Sequence, residues 1–223
     1  MEFYILSIFP NMFDSVFSET IIKRAQEMGL VNIEFVNIRN FTHDRHRTTD
    51  DYPFGGGAGM VMKPEPIYEA MDCVKSKSPN VYTILLTPTG RIFNQQKARE
   101  LSKRKSIAII CGRYEGFDER VRYLADEEIS IGKFILSGGE IAAMAIVDAT
   151  TRLIPGVLGN KESLKEESFE NGLIEYPQYT RPREYKNMKV PDILLSGNHN
   201  KIKEWREREA KKRTIEWMGE EDG

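Results

Sequence analysis

Apolar and polar positions switch between two periods along most of this chain. A short apolar run rich in strand formers, Phe3–Phe9, stops at Pro10. From Asn11 to Met28 the spacing becomes helical, with Met12, Phe13, Val16, Phe17, Ile21, Ile22 and Ala25 as the apolar positions and Gly29 as a C-terminal cap. Val31–Ile38 alternates like a strand, and Pro64–Lys75 predicts a helix with Pro64 in its first turn. Val81–Thr87 predicts a strand ending in TPTG, Asn94–Lys103 a helix, and Ser106–Cys111 a buried strand ending in GRYEG. Phe117–Leu124 reads as helical. Glu128–Ile131 starts another strand, which leads through GKFILSGGE into a helix over Glu140–Leu153. Strand and helix alternate throughout, so the expected fold is α/β with a mostly parallel sheet.

The pattern changes after Gly159. The stretch NKESLKEESFENG, residues 160–172, is charged and has no periodic apolar face, so it reads as a flexible linker. A small helical C-terminal domain is expected over 173–223. It closes with a charged amphipathic helix, roughly Asn200–Met218, in which residues 201–213 carry seven Lys or Arg and three Glu. The expected domains are therefore 1–159 and 173–223.

Composition narrows the class only a little. With 223 residues, 40% apolar and 30% charged, the chain is an ordinary globular one that can bury a core. The net charge of −2 excludes a uniformly basic coat but not a local basic patch. Cys73 and Cys111 form no CxxC pair, which argues for a reducing compartment and against a cysteine-held zinc. The start, MEFYILSIFPNMF, lacks the basic flank of a signal peptide, and no apolar run is long enough to span a bilayer. A cytoplasmic protein is expected.

Three strand ends carry glycine: TPTGR at Thr87, GRYEG at Gly112 and IGKFILSGGE at Ile131. Ligands of parallel α/β sheets bind at such ends, where glycine lets backbone and its N–H groups approach closely. Each glycine alone could simply turn a corner. Together they predict a backbone-lined pocket for a small molecule. Neither a P-loop nor a dinucleotide-binding glycine fingerprint is present.

The stretches HDRHRTTDDYPFGGGAGM, CGRYEGFDER, IGKFILSGGE with its following helix, TRLIPGVLG, YPQYTRP and LLSGNHNKIKEWR occur in that order along the chain. They resemble the TrmD family of bacterial tRNA (guanine-N1)-methyltransferases, of the SPOUT class. The resemblance runs over essentially the whole chain. It implies a deep trefoil knot in the α/β part, which no periodicity argument reaches because knots are nearly absent among folds. It implies that S-adenosyl-L-methionine binds at Thr87, Pro88, Gly112, Tyr114, Glu115, Gly116, Ile131, Gly132, Lys133, Phe134, Ile135, Leu136, Gly138 and Gly139. It also implies a homodimer whose active sites are shared between subunits, with the C-terminal domain of one subunit helping the other to grip tRNA. The small residues of GEIAAMAIVDATTRLI suit close helix packing, within a core or across subunits.

The reaction implied is methylation of N1 of guanine-37, immediately 3′ of the anticodon, in tRNAs with a preceding guanine, which protects the reading frame. N1 carries a proton that must leave, so a base within hydrogen-bond reach helps. Charge grows on O6 as the proton leaves, so a fixed cation helps too. The sulfonium supplies the leaving group, and no metal is needed for that. The family's base is an aspartate where this chain has Glu167, with Glu166 and Glu170 as competing neighbours; the cation is Arg152. A role for Mg2+ is left open by the residues.

For HDRHRTTDDYPFGGGAGM three readings compete: a metal cluster around His43 and His46, a phosphate cradle, and a glycine-hinged lid. The cradle lacks a strand-turn-helix setting. The lid fits best, presenting Arg45, His46, Arg47 and Asp50 to RNA. Two other functions share the resemblance: a knotted methyltransferase acting on rRNA or a ribose hydroxyl, and an RNA-binding protein without catalysis.

Overall fold

The structure, a computed structural model, describes residues 1–158, 167–169 and 172–221. The chain divides into two compact units, Met1–Gly159 and Asn160–Gly223. Most of the expected linker, with Glu166 and Glu170, lies outside the described residues.

The first unit is built on a five-stranded parallel sheet. Its strands are β1 (Glu2–Ser7), β2 (Asn32–Asn37), β5 (Tyr82–Ile92), β6 (Ser106–Ile110) and β7 (Glu127–Ser130), in the order β2-β1-β6-β5-β7. Two short strands, β3 (Asp50–Asp51) and β4 (Val61–Met62), pair separately as an antiparallel ribbon.

Alternation along the strands feeds two cores. Phe3, Ile5, Ile84, Leu86, Ile107 and Ile109 face one side, where Ile22 and Ala25 of α2 (Thr20–Glu27), Leu101 of α4 (Gln95–Leu101) and Ile146 and Val147 of α5 (Glu140–Thr151) cover them. Tyr4, Leu6, Leu85, Ala108 and Ile110 face the other, under Ile67, Ala70, Met71 and Val74 of α3 (Pro64–Lys77). Strands buried on both faces are what a sheet sandwiched between helix layers requires.

Several elements differ from the sequence pattern. The helix expected over Asn11–Met28 is three pieces: a 3-10 turn at Pro10–Phe13, α1 (Asp14–Phe17) and α2. The break lets Phe13 and Phe17 pack on Phe35 of β2, at centroid distances of 5.3 and 6.1 Å, while Ile22 and Ala25 still reach the core. Tertiary aromatic packing outweighs helix continuity there. Gly29 does cap α2: with φ +67 it donates to Gln26 O while Leu30 donates to Ala25 O. Phe117–Leu124 is a 3-10 helix, Glu119–Leu124, started by the Asp118 side chain accepting from the Arg120 amide.

In the second unit the terminal helix runs His199–Glu221. Trp205, Ala210 and Thr214 are its buried positions, and the segment around 174–179 lies along it. Thr214 Oγ1 accepts from the Ile174 amide at 2.8 Å and donates to Ala210 O. The unit also holds a hairpin that the pattern missed, β8 (Glu184–Tyr185) with β9 (Met188–Lys189). Its two-residue loop, Lys186–Asn187, has both φ positive, which matches hairpin twist but lacks the glycine that advertises such a turn. Among the described residues no helix is long and apolar enough to cross a membrane.

Candidate functional site

The C-terminal ends of β5, β6 and β7 open into a cavity of about 550 Å³. Three turns wall it. The first is an excursion within β5, not a turn after it. Leu86 and Arg91 both pair with Ile129 of β7, so residues 87–90 bulge outward between them. A Cβ on Gly90 would lie 2.6 Å from the Ile129 backbone, so only glycine closes this bulge. Thr87 Oγ1 accepts from the Thr89 amide and tightens it.

The second turn, Gly112–Gly116, follows β6. It needs left-handed backbone at Tyr114 (φ +60) and Gly116 (φ +112). The third, Ile131–Gly139, follows β7. It closes on the second where the Gly139 amide donates to Gly112 O at 2.8 Å, and a Cβ on Gly139 would lie 2.9 Å from Cys111 Cα. The glycines therefore serve close approach between turns.

Thr87, Pro88, Gly112, Tyr114, Glu115, Gly116, Ile131, Gly132, Phe134, Ile135, Leu136, Gly138 and Gly139 all line this cavity. Lys133 does not: its side chain is exposed and lies outside the wall. Phe134, Ile135 and Tyr114 are 54%, 80% and 47% exposed, an apolar rim for a flat ligand. Volume and apolar rim together fit an adenosine-sized group.

Sequence reasoning overlooks the residues that join the turns. Glu140, the first residue of α5, is 1% exposed. Its Oε1 accepts from Ser7 Oγ at 2.7 Å and its Oε2 from Arg113 Nε at 3.2 Å. The signal available in the sequence is an acid directly after SGG at the start of an otherwise apolar helix. Burial first, and then this carboxylate's charge, push the neighbouring Cys111 thiol well above its ordinary pKa.

The segment His43–Met60 borders the second turn. Its glycines 55, 56, 57 and 59 all have positive φ. Its outgoing end is hydrogen-bonded to the cavity turn: Glu115 N donates to Met60 O, Met62 N to Gly116 O and Asp118 N to Met62 O. Its incoming end is a turn built on Asp44, whose carboxylate accepts from the His46 and Thr48 amides and the Thr48 hydroxyl. Those bonds, the Thr48 amide first, hold the Asp44 carboxyl below its ordinary range. Arg45 and His46 project from this turn, exposed and without a side-chain partner among the described residues. Arg47 has φ +53, and its carbonyl accepts from Arg39. Asp50 is half-buried in β3, so it belongs to the ribbon's stem. His43 Nε2 lies 2.9 Å from Glu69. Among the described residues no three His, Cys, Asp or Glu side chains converge as a metal site.

Arg152 is half-buried at the C-terminal cap of α5. Glu167 belongs to the second unit, at the edge of a separate cavity of about 700 Å³ between the 173–179 segment and the terminal helix. That cavity is lined by Tyr176, Tyr179, His199 and Arg206, and Arg206 stacks over Tyr176 at 4.7 Å. It has no glycine turns and no strand ends, so it lacks what recommends the first cavity for a nucleoside. Of the helix's basic residues, Arg213 donates to Glu175 O and Lys203, Arg208 and Lys212 face glutamates, so its positive excess is partly neutralised.

A family described as tRNA (Guanine-1)-methyltransferase TrmD matches residues 1–218. The chain belongs to this family. It is thereby a methyltransferase, and the match spans the first unit and nearly all of the second. Among the relatives named tRNA (guanine-N(1)-)-methyltransferase, that of Dictyoglomus turgidum is 59% identical, over 95% of this chain and 85% of its own. The protein of Geobacter sp. (strain M21) is also 59% identical, over 96% and 87%. That of Geobacillus kaustophilus is 56% identical, over 96% and 88%. At such identity and coverage the TrmD family frame applies to both units.

Proposed function

We propose that the protein transfers the methyl group of S-adenosyl-L-methionine to N1 of guanine-37 in tRNAs with a preceding guanine, as a cytoplasmic homodimer. The observation that carries this reading is the cavity itself: three turns, two of them tied by an amide-to-carbonyl bond, at the ends of adjacent parallel strands. A sulfonium donor bound there presents its methyl, and S-adenosylhomocysteine is the product left behind.

The chain's own residues supply the rest. Those amides of the second and third turns that are not bonded within the protein read the adenine edge, while Ile131, Phe134 and Leu136 cover its faces. Arg45, His46 and Arg47 meet the RNA, with the glycines at 55–59 as hinges and Asp50 at the stem. Glu167 takes the N1 proton and Arg152 stabilises charge growing on O6. In the homodimer each site is completed by the partner's C-terminal unit, and the first unit carries the trefoil knot of the SPOUT class. The terminal helix adds phosphate contacts.

The test is to incubate the protein with labelled donor and bulk tRNA and to identify the labelled nucleoside. 1-Methylguanosine supports the reading, and a transcript with guanine-37 replaced should take up no label. A ribose-methylated product would show a different knotted methyltransferase. Donor binding without transfer to any RNA would show a protein that only binds.

A further inference from the structure

Reading the cavity as a methyl-donor site leaves the buried carboxylate of the first unit, Glu140, without a role. Resting on that reading, we propose that Glu140, acting through Arg113, is a positioning residue for the donor: the ion pair sets the separation of the two glycine turns that wall the cavity.

A carboxylate that is 1% exposed must have its lone pairs occupied. Glu140 does this with one partner on each oxygen, Ser7 at the end of β1 and Arg113 in the turn after β6. Ser7 Oγ is itself fixed, accepting from the Phe9 amide at 2.9 Å. The Arg113 guanidinium is caged from outside, over the Phe9 ring at 4.6 Å and beside Met12 Sδ. Neither end of the pair can rotate freely.

The place of the pair matters more than its strength. Glu140 continues directly from Gly138 and Gly139, and Arg113 directly from Gly112. The pair therefore crosslinks the second and third turns, with Arg113 in the cavity wall and Glu140 buried behind it, beside the Gly139-to-Gly112 hydrogen bond and the Arg113–Gly138 bridge. A Cβ on Gly138 would sit 2.4 Å from Arg113 Nε and 2.5 Å from Glu140 Oε2, so the pair rests against the turn's bare backbone. If one wall shifts by a fraction of an ångström, amides facing a ligand move with it. A buried ion pair is weak evidence for stability, since apolar replacements of equal volume are often as stable. Its consequence here is geometric.

The experiment compares Glu140→Gln and Arg113→Met with the wild type. It measures thermal melting, calorimetric affinity for S-adenosylhomocysteine, and steady-state kcat and KM for donor and tRNA. Each variant should raise donor KM and the S-adenosylhomocysteine Kd about tenfold or more, as misplacement of wall amides would. At saturating donor kcat should stay within about twofold, and tRNA KM should not move. The double variant should be no worse than the worse single, because the two act through one bond. Arg113→Lys, which keeps the charge, should recover part of the affinity. If Glu140→Gln does not fold, Ser7→Ala replaces it and should raise donor KM in the same selective way.

Unchanged donor affinity in folded variants would overturn the inference. So would losses of donor and tRNA binding that simply track the melting temperature, or additive losses in the double variant. In each of these cases wild-type binding of S-adenosylhomocysteine leaves the donor reading standing. A wild type that binds no S-adenosylhomocysteine would overturn both.

Discussion

Glu115 fills the space that a side chain at Gly59 would need: a Cβ on Gly59 would lie 2.5 Å from both Cγ and Oε1 of Glu115. Gly59 also has φ +83, a conformation that costs side-chain-bearing residues. The glycine-rich segment and the strand-end cavity thus meet at one point, where Glu115 lines the cavity and its amide is bonded to Met60 O. In Gly59→Ala the Glu115 side chain must swing away and the backbone must strain. The expected cost is about 1–2 kcal/mol of stability, read as a melting temperature lower by a few degrees. A raised donor KM should accompany it, because the displaced side chain borders the cavity. A variant with unchanged melting and unchanged donor KM would show that the contact is slack.

How far the fold is legible in the sequence depends on the range of the forces involved. The parallel sheet is readable because strand and helix periods are local, and the terminal helix is readable for the same reason. Glycines at three strand ends locate the cavity. The β5 bulge is not readable: nothing in TPTGR says that Leu86 and Arg91 will share Ile129 as a partner. The break before α2 depends on Phe35, which lies beyond the helix in sequence. Glu140 gives little sign of its role because its partners are 133 and 27 residues away, and only the fold brings Ser7 and Arg113 to it.

Arg45 and His46 are exposed on a turn that is already held by Asp44. Removing either side chain should leave the turn intact, since its bonds use backbone amides and the Thr48 hydroxyl. Arg45→Ala should therefore weaken tRNA without weakening the donor. A rise in tRNA KM of about tenfold is expected, with a shallower salt dependence, as for the loss of a phosphate contact. Initial rates over a range of salt, with calorimetric donor titration alongside, decide it. Equal losses for both substrates would remove the lid role.

Glu167 offers a cleaner separation of chemistry from binding. Glu167→Gln preserves size and removes basicity. If this carboxylate takes the N1 proton, kcat should fall by about a hundredfold or more, with donor Kd unchanged. Glu167→Asp should retain more activity than the glutamine variant, since a carboxylate with one methylene less can still accept the proton. Single-turnover rates at saturating donor and tRNA measure the step. An unchanged rate in Glu167→Gln would move the assignment to another carboxylate of the same stretch.

Cys111 is fully buried behind the glycine turns, and its thiol is pushed well above the ordinary value of 9.0 by burial and by Glu140. Well below pH 9 the thiol is neutral in both folded and unfolded chains and contributes no pH dependence. Above it, the unfolded chain's thiol loses its proton while the buried one keeps it, so unfolding is favoured. The slope is about 1.4 kcal/mol per pH unit until the folded thiol also titrates. Cys111→Ala removes this contribution, and the packing it loses shifts the difference by an amount that does not depend on pH. The difference in unfolding free energy between wild type and variant should be flat from about pH 7 to about 8.5 and should then turn against the wild type. Chemical denaturation of both proteins from about pH 7 to about 10 reads it directly. A difference that stays flat to about pH 10 would mean that the thiol ionises in place, and hence that the floor beneath Gly112 and Gly139 admits water.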